Sequence, residues 1–254
     1  MILLFGDLHG DFRHLLPIVK EHKPAAIILL GDIQAQQSLE NELAAIMRLT
    51  EVYWIHGNHD TDSIKDHDNL FNSGLADRNL HGRVVEIDGL RVAGLGGIFR
   101  ETIWWPEPME IEPRFLSYED FQRHLDIELA YHNISVDKRD GELRKHRSSI
   151  FWNDWMELYS QEADVLVTHE APSCHPHGFY AIDSLAQSLK VKQAFHGHHH
   201  DRIDYVSHNE RLGFKAYGVG LHGVTNIHGQ LIRPGILDEA RAHRQIKSDA
   251  MDGI

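Results

Sequence analysis

Cysteine is almost missing from this chain. Cys174 stands alone among 254 residues, which excludes an intrachain disulfide and any zinc module built on clustered thiolates. Long apolar runs are missing as well, since no stretch approaches the roughly 18 residues of a membrane helix. The apolar start, Met1-Ile2-Leu3-Leu4-Phe5, is too short for a secretory core and carries no basic lead. These absences point to a cytoplasmic protein with no membrane partner. Positive charge is scarce too. With 25 Lys and Arg against 38 Asp and Glu, the formal net charge is −13, so a chain-wide cationic surface for duplex nucleic acid is not expected. An anionic substrate would need a local source of positive charge, and a bound metal is one. Nothing in the composition identifies a protein partner.

What the chain has in quantity is histidine, 21 residues in all. Most of them, such as His14, His22, His67, His81 and His124, stand singly in polar surroundings and read as solvated or structural. The run Phe195-His196-Gly197-His198-His199-His200-Asp201 differs, because it packs four histidines into five residues directly after an apolar pair. It also lies too far from either end to be a tag. Five short apolar runs share this habit of ending in polar groups. Residues 1–5 lead into Gly6-Asp7-Leu8-His9-Gly10, 25–30 into Gly31-Asp32, and 52–55 into His56-Gly57-Asn58-His59-Asp60. Residues 164–168 lead into His169-Glu170-Ala171-Pro172, and 193–195 into the histidine run.

Such runs read as buried strands. Between the first three, Phe12, Leu15, Leu16 and Val19 suggest a helix that holds Pro17 in its first turn. Leu39, Leu43 and Ile46 suggest a second, behind a Ser38 N-cap with Glu40 and Glu42 in its first turn. The order is α/β with a largely parallel sheet. Residues 83–97 read as a hairpin turning at Asp88-Gly89. The alternating segments 202–207 and 214–220 read as further antiparallel strands. Residues 98–150, with Trp104-Trp105 and helix-like patches around 117–132, read as an inserted helical segment within a single domain spanning 1–254. The polar tail from about 235 reads as frayed.

In open α/β sheets ligands bind beyond the carboxyl ends of the strands, so these polar ends belong around one crevice. Gly6, Gly31, Gly57 and Gly197 permit the sharp exits that such a rim needs. Asp7 and His9, two apart, point the same way on an extended segment, as do His198 and His200, with His199 facing elsewhere. Carboxylates with neutral imidazoles suit manganese, iron, zinc or nickel. Asp32 arrives alone with two oxygens, which suits a bridge between ions. Asn58 adds an amide oxygen and His169 another imidazole. The seven candidates, Asp7, His9, Asp32, Asn58, His169, His198 and His200, are too many for one ion and about right for two.

Taken in order from residue 6 to 200, these motifs resemble those of the calcineurin-like metallophosphoesterases. The resemblance implies two mixed β-sheets packed face to face and flanked by helices, with a two-metal site at one edge. It implies a metal-dependent phosphoesterase in which a hydroxide shared by two divalent ions attacks phosphorus. Mn2+ is the first expectation, with Fe, Zn or Ni compatible. Asp7, His9 and His200 would hold one ion, Asn58, His169 and His198 the other, and Asp32 would bridge. His59 would be the general acid. His199 falls outside the ligand set, and His196 is open between the metal surroundings and core packing.

The chain departs from the serine/threonine protein phosphatases after the second motif. Gly31-Asp32-Ile33-Gln34-Ala35-Gln36 has no aspartate at Ala35 to orient the catalytic histidine, and no following arginine to grip phosphate. Asp60 and Asp62 are the two alternatives for orienting His59. The missing arginine tilts the expected substrate toward diesters, nucleotides or another phosphorylated small molecule. Phosphomonoesterase or protein-phosphatase chemistry is the alternative. A non-catalytic partner-binding scaffold on the same fold is the reading from another class, and an intact His59 with all seven ligand positions argues against it. Three further features have two readings each. Trp104-Trp105 could stack a flat substrate group or fill the core, the basic run 138–147 could steer a phosphorylated substrate or be a solvated helix, and Cys174 could lie near the metals or be packed.

Overall fold

The computed structural model describes residues 1–107, 112–131 and 134–240. These residues form ten strands: β1 (Ile2–Phe5), β2 (Ala26–Leu30), β3 (Glu51–Ile55), β4 (Arg83–Ile87), β5 (Leu90–Leu95), β6 (Val165–Thr168), β7 (Gln193–His196), β8 (Lys215–Gly218), β9 (Val224–Asn226) and β10 (Leu231–Arg233). The principal helices are α1 (Leu15–His22), α2 (Leu39–Glu42), α3 (Ile64–Phe71), α4 (Tyr118–Tyr131), α5 (Val136–Lys145), α6 (Trp152–Tyr159), α7 (Tyr180–Ser188) and α8 (Asn209–Leu212). The strands make two five-stranded mixed sheets, ordered β10-β9-β1-β2-β3 and β4-β5-β6-β7-β8.

The period-2 alternation of each strand explains the layering. In β1, Ile2 and Leu4 pack with Val92, Val165, Val167 and Phe195 of the other sheet. Their neighbours Leu3 and Phe5 pack with Leu15 and Val19 of α1 and with Leu39 and Leu43. In the second sheet, Ala93, Leu95, Leu166 and Ala194 face outward against Phe121 of α4, Trp155 of α6 and Ile182 of α7. The result is helix, sheet, sheet, helix. A strand covered on both faces has no solvent side to mark with polar residues, so its sequence is continuously apolar. Each fully buried Leu or Ile contributes about 1.5–3 kcal/mol relative to exposure, and Leu4→Ala in the central layer would cost about 2–5 kcal/mol.

Register then sets the site. β1, β2 and β3 run parallel with Phe5 beside Leu29 and Leu30 beside Ile55, so their carboxyl ends are level. In the other sheet Leu95, Thr168 and His196 are level in the same way. The loops after these strands therefore gather along one edge of the sandwich.

Local chemistry explains the agreements and the departures. The β4–β5 hairpin turns at Asp88 and Gly89, whose φ values of 49° and 76° match the turn that follows strand twist. Pro17 lies in the first turn of α1, where its missing N–H costs nothing. The second expected helix is shorter than its apolar spacing suggests. α2 ends at Glu42, and Ser38 makes no N-cap bond because its Oγ accepts from Asn41 Nδ2 at 2.7 Å instead. Leu39, Leu43 and Ile46 are nonetheless buried together, the later two on turns.

Segment 202–207 is not a strand. Its pattern is met by anchoring, with Arg202 donating to Thr225 Oγ1 at 2.7 Å and to Gly229 O at 2.9 Å, and Tyr205 buried against His196. Segment 214–220 does contain β8, but β8 runs parallel to β7 rather than antiparallel. The connection from 197 to 214 has the dozen or more residues that a parallel crossover needs. Residues 98–150 carry α4 and α5 and place Ile103, Trp104, Phe121 and Ile150 in the outer cluster. Of the expected tail, 235–240 are described, with Asp238 Oδ2 accepting from Gly235 N at 2.7 Å, and 241–254 lie outside the described residues. Among the described residues no helix is long and apolar enough to cross a membrane.

Candidate metal centre

Backbone bonds lock the loops of this edge together. His9 N donates to Asp32 O at 2.8 Å and Gly10 N to Ile33 O at 3.0 Å, joining the exits of β1 and β2. The buried Asp60 joins β2 to β3. Its Oδ1 accepts from Ile33 N at 2.7 Å and Gln34 N at 2.8 Å, and its Oδ2 from Gly57 N at 2.8 Å. Several rim residues adopt left-handed backbone: His9 at φ 42°, Asp32 at 46°, Gln34 at 48°, His198 at 69° and His200 at 59°. Such conformations cost roughly 1–3 kcal/mol each for non-glycine residues and gather at functional sites. Glycine is required where the loops nearly touch. A Cβ on Gly57 would fall 2.2 Å from Asp32 Oδ1, and one on Gly31 would fall 2.4 Å from His169 Nδ1.

The seven expected ligands are all at this edge, and six meet closely. His9, Asp32 and His200 present donor atoms within 4.8 Å of one another, as do Asp32, His169 and His198. Asp32 belongs to both groups. Its Oδ2 lies 3.8 Å from His9 Nε2 and 3.5 Å from His169 Nε2, while Oδ1 accepts the His59 N–H at 2.9 Å. One oxygen, rather than both, therefore faces the two groups. Asn58 Oδ1 lies 3.3 Å from His169 Nε2. Asp7 is set back: its Oδ1 accepts from His198 N at 3.1 Å and lies 3.8 Å from His169 Nδ1, and its buried Oδ2 has no hydrogen-bond donor among the described residues.

Tautomers are fixed from behind. His169 Nδ1 donates to Leu30 O at 2.8 Å, and His9 Nδ1 to Gln34 Oε1 at 2.7 Å. Each bond leaves Nε2 as the nitrogen turned to the site. Sequence reasoning missed Gln34 as the partner of His9, because nothing local marks it apart from its position two after Asp32. The charges are strongly coupled. Burial pushes the Asp7 carboxyl up to about 7 against the pull of His169. Burial acts the same way on Asp32, but the charge and hydrogen bond of His169 and the His59 N–H outweigh it and hold Asp32 well below the usual range. Burial depresses His169, yet Asp32, Asp7 and the Leu30 carbonyl raise it to about 10. Burial and then the His169 charge bring His198 down to about 3, leaving it neutral, the form that ligates.

His59 is half-exposed at the mouth. Its Nδ1 donates to Asp62 Oδ2 at 2.6 Å, so of the two alternatives Asp62 orients the ring and Asp60 holds the loops. Partial burial pulls its pKa down, but the Asp62 hydrogen bond and the charges of Asp32, Asp62 and Asp60 raise it overall.

The other open readings also have answers here. His196 is core, with Nε2 sharing a hydrogen bond with Tyr205 Oη at 3.1 Å and Nδ1 bonded to Gly197 O at 3.0 Å. His199 stacks on His175 at 3.8 Å between centroids, and a donor atom of it lies within 4.8 Å of Glu170 and His198. Trp104 is buried among Phe99, Trp152 and Trp155, so it fills the core. The basic run lies largely on α5, where no residue is buried. Cys174 is packed, and burial pushes its thiol up to about 12.

A protein of Haemophilus influenzae, itself uncharacterized, is 39% identical over 244 residues, covering 95% of this chain and 100% of its own. Among solved structures, TT1561 of Thermus thermophilus is similar at 16% identity and a TM-score of 0.49, covering 89% of this chain and 94% of that one. A 5'-nucleotidase precursor from the same organism aligns at 16% identity and a TM-score of 0.40, covering 99% of this chain and 59% of that one. The family model for calcineurin-like phosphoesterase matches residues 1–202, a span that holds every loop of the edge described above. The chain therefore belongs to the calcineurin-like phosphoesterases, and it is a metal-dependent phosphoester hydrolase.

Proposed function

We propose that the protein hydrolyses an ester of a phosphorylated small molecule or nucleotide with two divalent ions, and that His59 is the general acid. The observation that carries this reading is Asp32 Oδ2, which faces His9 Nε2 at 3.8 Å and His169 Nε2 at 3.5 Å. A single carboxylate oxygen common to two donor groups suits a bridge. The residues also fit metal on other grounds. His9 Nε2 and His200 Nε2 are 3.0 Å apart, and two nitrogens about 2.1 Å from one ion at a right angle are separated by about 3 Å. The buried Oδ2 of Asp7 has no hydrogen-bond donor among the described residues, and a cation would satisfy it and hold the carboxylate ionised against burial. Asp7, His9 and His200 would hold one ion and Asn58, His169 and His198 the other, with Mn2+ first and Fe, Zn or Ni compatible.

When bound, the ions would supply Lewis acidity and a water of lowered pKa beside phosphorus. Two divalent ions against two carboxylates leave the crevice at about +2, which reconciles an acidic chain with an anionic substrate. The remaining steps belong to the protein. Asp32 Oδ1 holds the His59 backbone at the rim, and Asp62 fixes the ring with Nδ1 occupied. His59 Nε2 is left to carry the proton that the departing oxygen takes up, and the Asp62 hydrogen bond with the nearby carboxylates favours the protonated ring. No residue of the chain needs to become phosphorylated.

The test is elemental analysis of purified protein together with hydrolysis of aryl phosphate monoesters and diesters and of nucleotides. Two ions per chain and turnover of one ester class are expected. Protein that takes up no Mn2+, Fe, Zn or Ni and cleaves none of these esters overturns the reading.

A further inference from the structure

The segment after β5 brings a cation to the same edge. Gly97 N donates to His56 O at 2.7 Å, Ile98 N to Ser148 O at 3.0 Å, and Ile150 N to Ile98 O at 3.0 Å. Gly97 is thus tied to the exit of β3, and Ile98 is laced to 148–150. Two residues on, the Arg100 carbonyl accepts from Ile103 N at 2.8 Å and Trp104 N at 2.9 Å, closing a turn that the buried Trp104 anchors. The Arg100 side chain is held as firmly as its backbone. Nη1 donates to Ser149 Oγ at 2.9 Å and Nη2 to Ser148 Oγ at 3.2 Å. Ser148 Oγ in turn lies 2.7 Å from Thr61 Oγ1 and 3.5 Å from Asn58 O. One hydroxyl therefore joins the guanidinium to the loop that carries Asn58 and His59.

Arg100 differs in its electrostatics from the exposed arginines of the chain. It shares with Arg202 a partly buried guanidinium anchored on neutral oxygens, but Arg202 lies against Thr225 and Gly229, away from the loop of Asn58 and His59. Arg91 and Arg139 are exposed or pair with carboxylates, at 3.3 Å and 2.7 Å. Arg100 is partly buried, and among the described residues it makes no ion pair within 4.0 Å. Its two anchoring partners are neutral hydroxyls. Burial pulls its pKa down, and the carboxylates that oppose this are Glu170, Asp62 and Asp32, from three separate loops of the rim. On the other side, burial lowers His146 and His56, and the Arg100 charge adds to both effects. A desolvated guanidinium without a bound counter-charge is costly to keep. An anion delivered to the metal edge would offset that cost.

We infer that Arg100 grips the phosphoryl oxygens of the bound ester, supplying the cationic arm that the segment after Asp32 lacks. A guanidinium has five N–H donors. Two are spent on the serines, which leaves a preoriented fork of the kind that binds phosphate in two places. A doubly charged monoester gains more from that fork than a singly charged diester. The inference thus favours phosphomonoesters, or the terminal phosphate of a nucleotide, and it rests on the phosphoester-hydrolase reading above.

The test compares Mn2+-loaded wild type, Arg100→Gln and Arg100→Lys. Binding of inorganic phosphate is followed by calorimetry, and KM and kcat are measured on aryl phosphate monoesters and diesters. Arg100→Gln should retain its metal content and weaken phosphate binding about 10–100-fold, the scale for a lost charge-assisted pair. Monoester KM should rise more than diester KM. Arg100→Lys keeps the charge and loses the fork, so it should fall between the two, and it decides the matter if the glutamine variant does not fold. Phosphate affinity within about twofold of wild type in either folded variant, with metal intact, overturns the inference alone. Wild type that holds metal but neither binds phosphate nor cleaves an ester overturns the underlying reading as well.

Discussion

Two groups of histidines lie side by side in this protein, and they differ in what they face. At the metal edge, His9 and His169 each have Nδ1 engaged by an oxygen behind and Nε2 turned toward Asp32 Oδ2. Close by, His175 stacks on His199 with an interplanar angle of 14°, and His196 bonds to Tyr205 and Gly197. Burial drives His196 down to about 4 and leaves it neutral. The carboxylate beside the second group, Asp201 Oδ1, lies 3.6 Å from His175 Nε2, whereas Asp32 Oδ2 lies 3.8 Å and 3.5 Å from imidazoles that follow two separate strands. Histidine density is therefore a poor guide to metal. The informative features are the shared oxygen and the occupied back nitrogen.

The sharpest way to break this comparison is to remove the shared oxygen. Asp32→Asn should lose metal and cut turnover about 10³-fold or more, since several kcal/mol of charge stabilisation go with the ions at about 1.4 kcal/mol per tenfold. His175→Ala, in the other group, should keep the same ion count and cost only stability. Elemental analysis of both variants decides it, and metal loss from His175→Ala with retention in Asp32→Asn would invert the assignment. His59→Ala comes next. It should keep metal and lose about 10²- to 10⁴-fold in rate on esters with poor leaving groups. The loss should nearly vanish for an activated aryl ester, and equal losses on both would remove the acid role.

Much of this edge was legible in the sequence because each apolar run ends abruptly in a side chain that has no business in a core. Asp7, His9, Asp32, Asn58, His169, His198 and His200 could be named as candidate ligands from those ends, from their spacing and from the family motifs they resemble. The four layers were what the family resemblance implied, and continuous apolar strands are consistent with them because such strands require cover on both faces. What was not legible needed either a choice between neighbours or a long-range contact. Asp60 and Asp62 are two residues apart, and only the turn through His59–Thr61 sends one carboxylate inward and the other to the ring. Arg100 meets Ser148 across 48 residues of sequence. Segment 202–207 alternates like a strand, yet its polar and aromatic side chains are satisfied by Thr225, Gly229 and His196 without any ladder.

A milder perturbation separates the histidines by their back partners. Gln34→Ala removes the oxygen that holds His9 Nδ1 at 2.7 Å while leaving every donor of the edge in place. Loss of such a partner typically weakens metal binding about 10- to 100-fold. The effect should fall on one ion of the two, visible as a biphasic titration with chelator. A single-phase titration unchanged from wild type would mean that Gln34 does not orient His9.

The smallest expected effect concerns Asp62 and has a definite sign. His59 must be protonated to donate, and its pKa is raised despite partial burial, chiefly by the Asp62 hydrogen bond. The acid form is therefore lost as pH rises through a value above that of an ordinary histidine, which sets the alkaline limb of the rate profile. Asp62→Asn removes one of the charges behind that shift, so the limb should move to lower pH. Because the Asp62 side chain is 56% exposed, solvent screens the pair and the loss at neutral pH should be modest, about three- to tenfold. The measurement is kcat against pH for a poor leaving group, with metal held in excess. A limb that stays in place would show that the proton is governed by the ions and Asp32 rather than by Asp62.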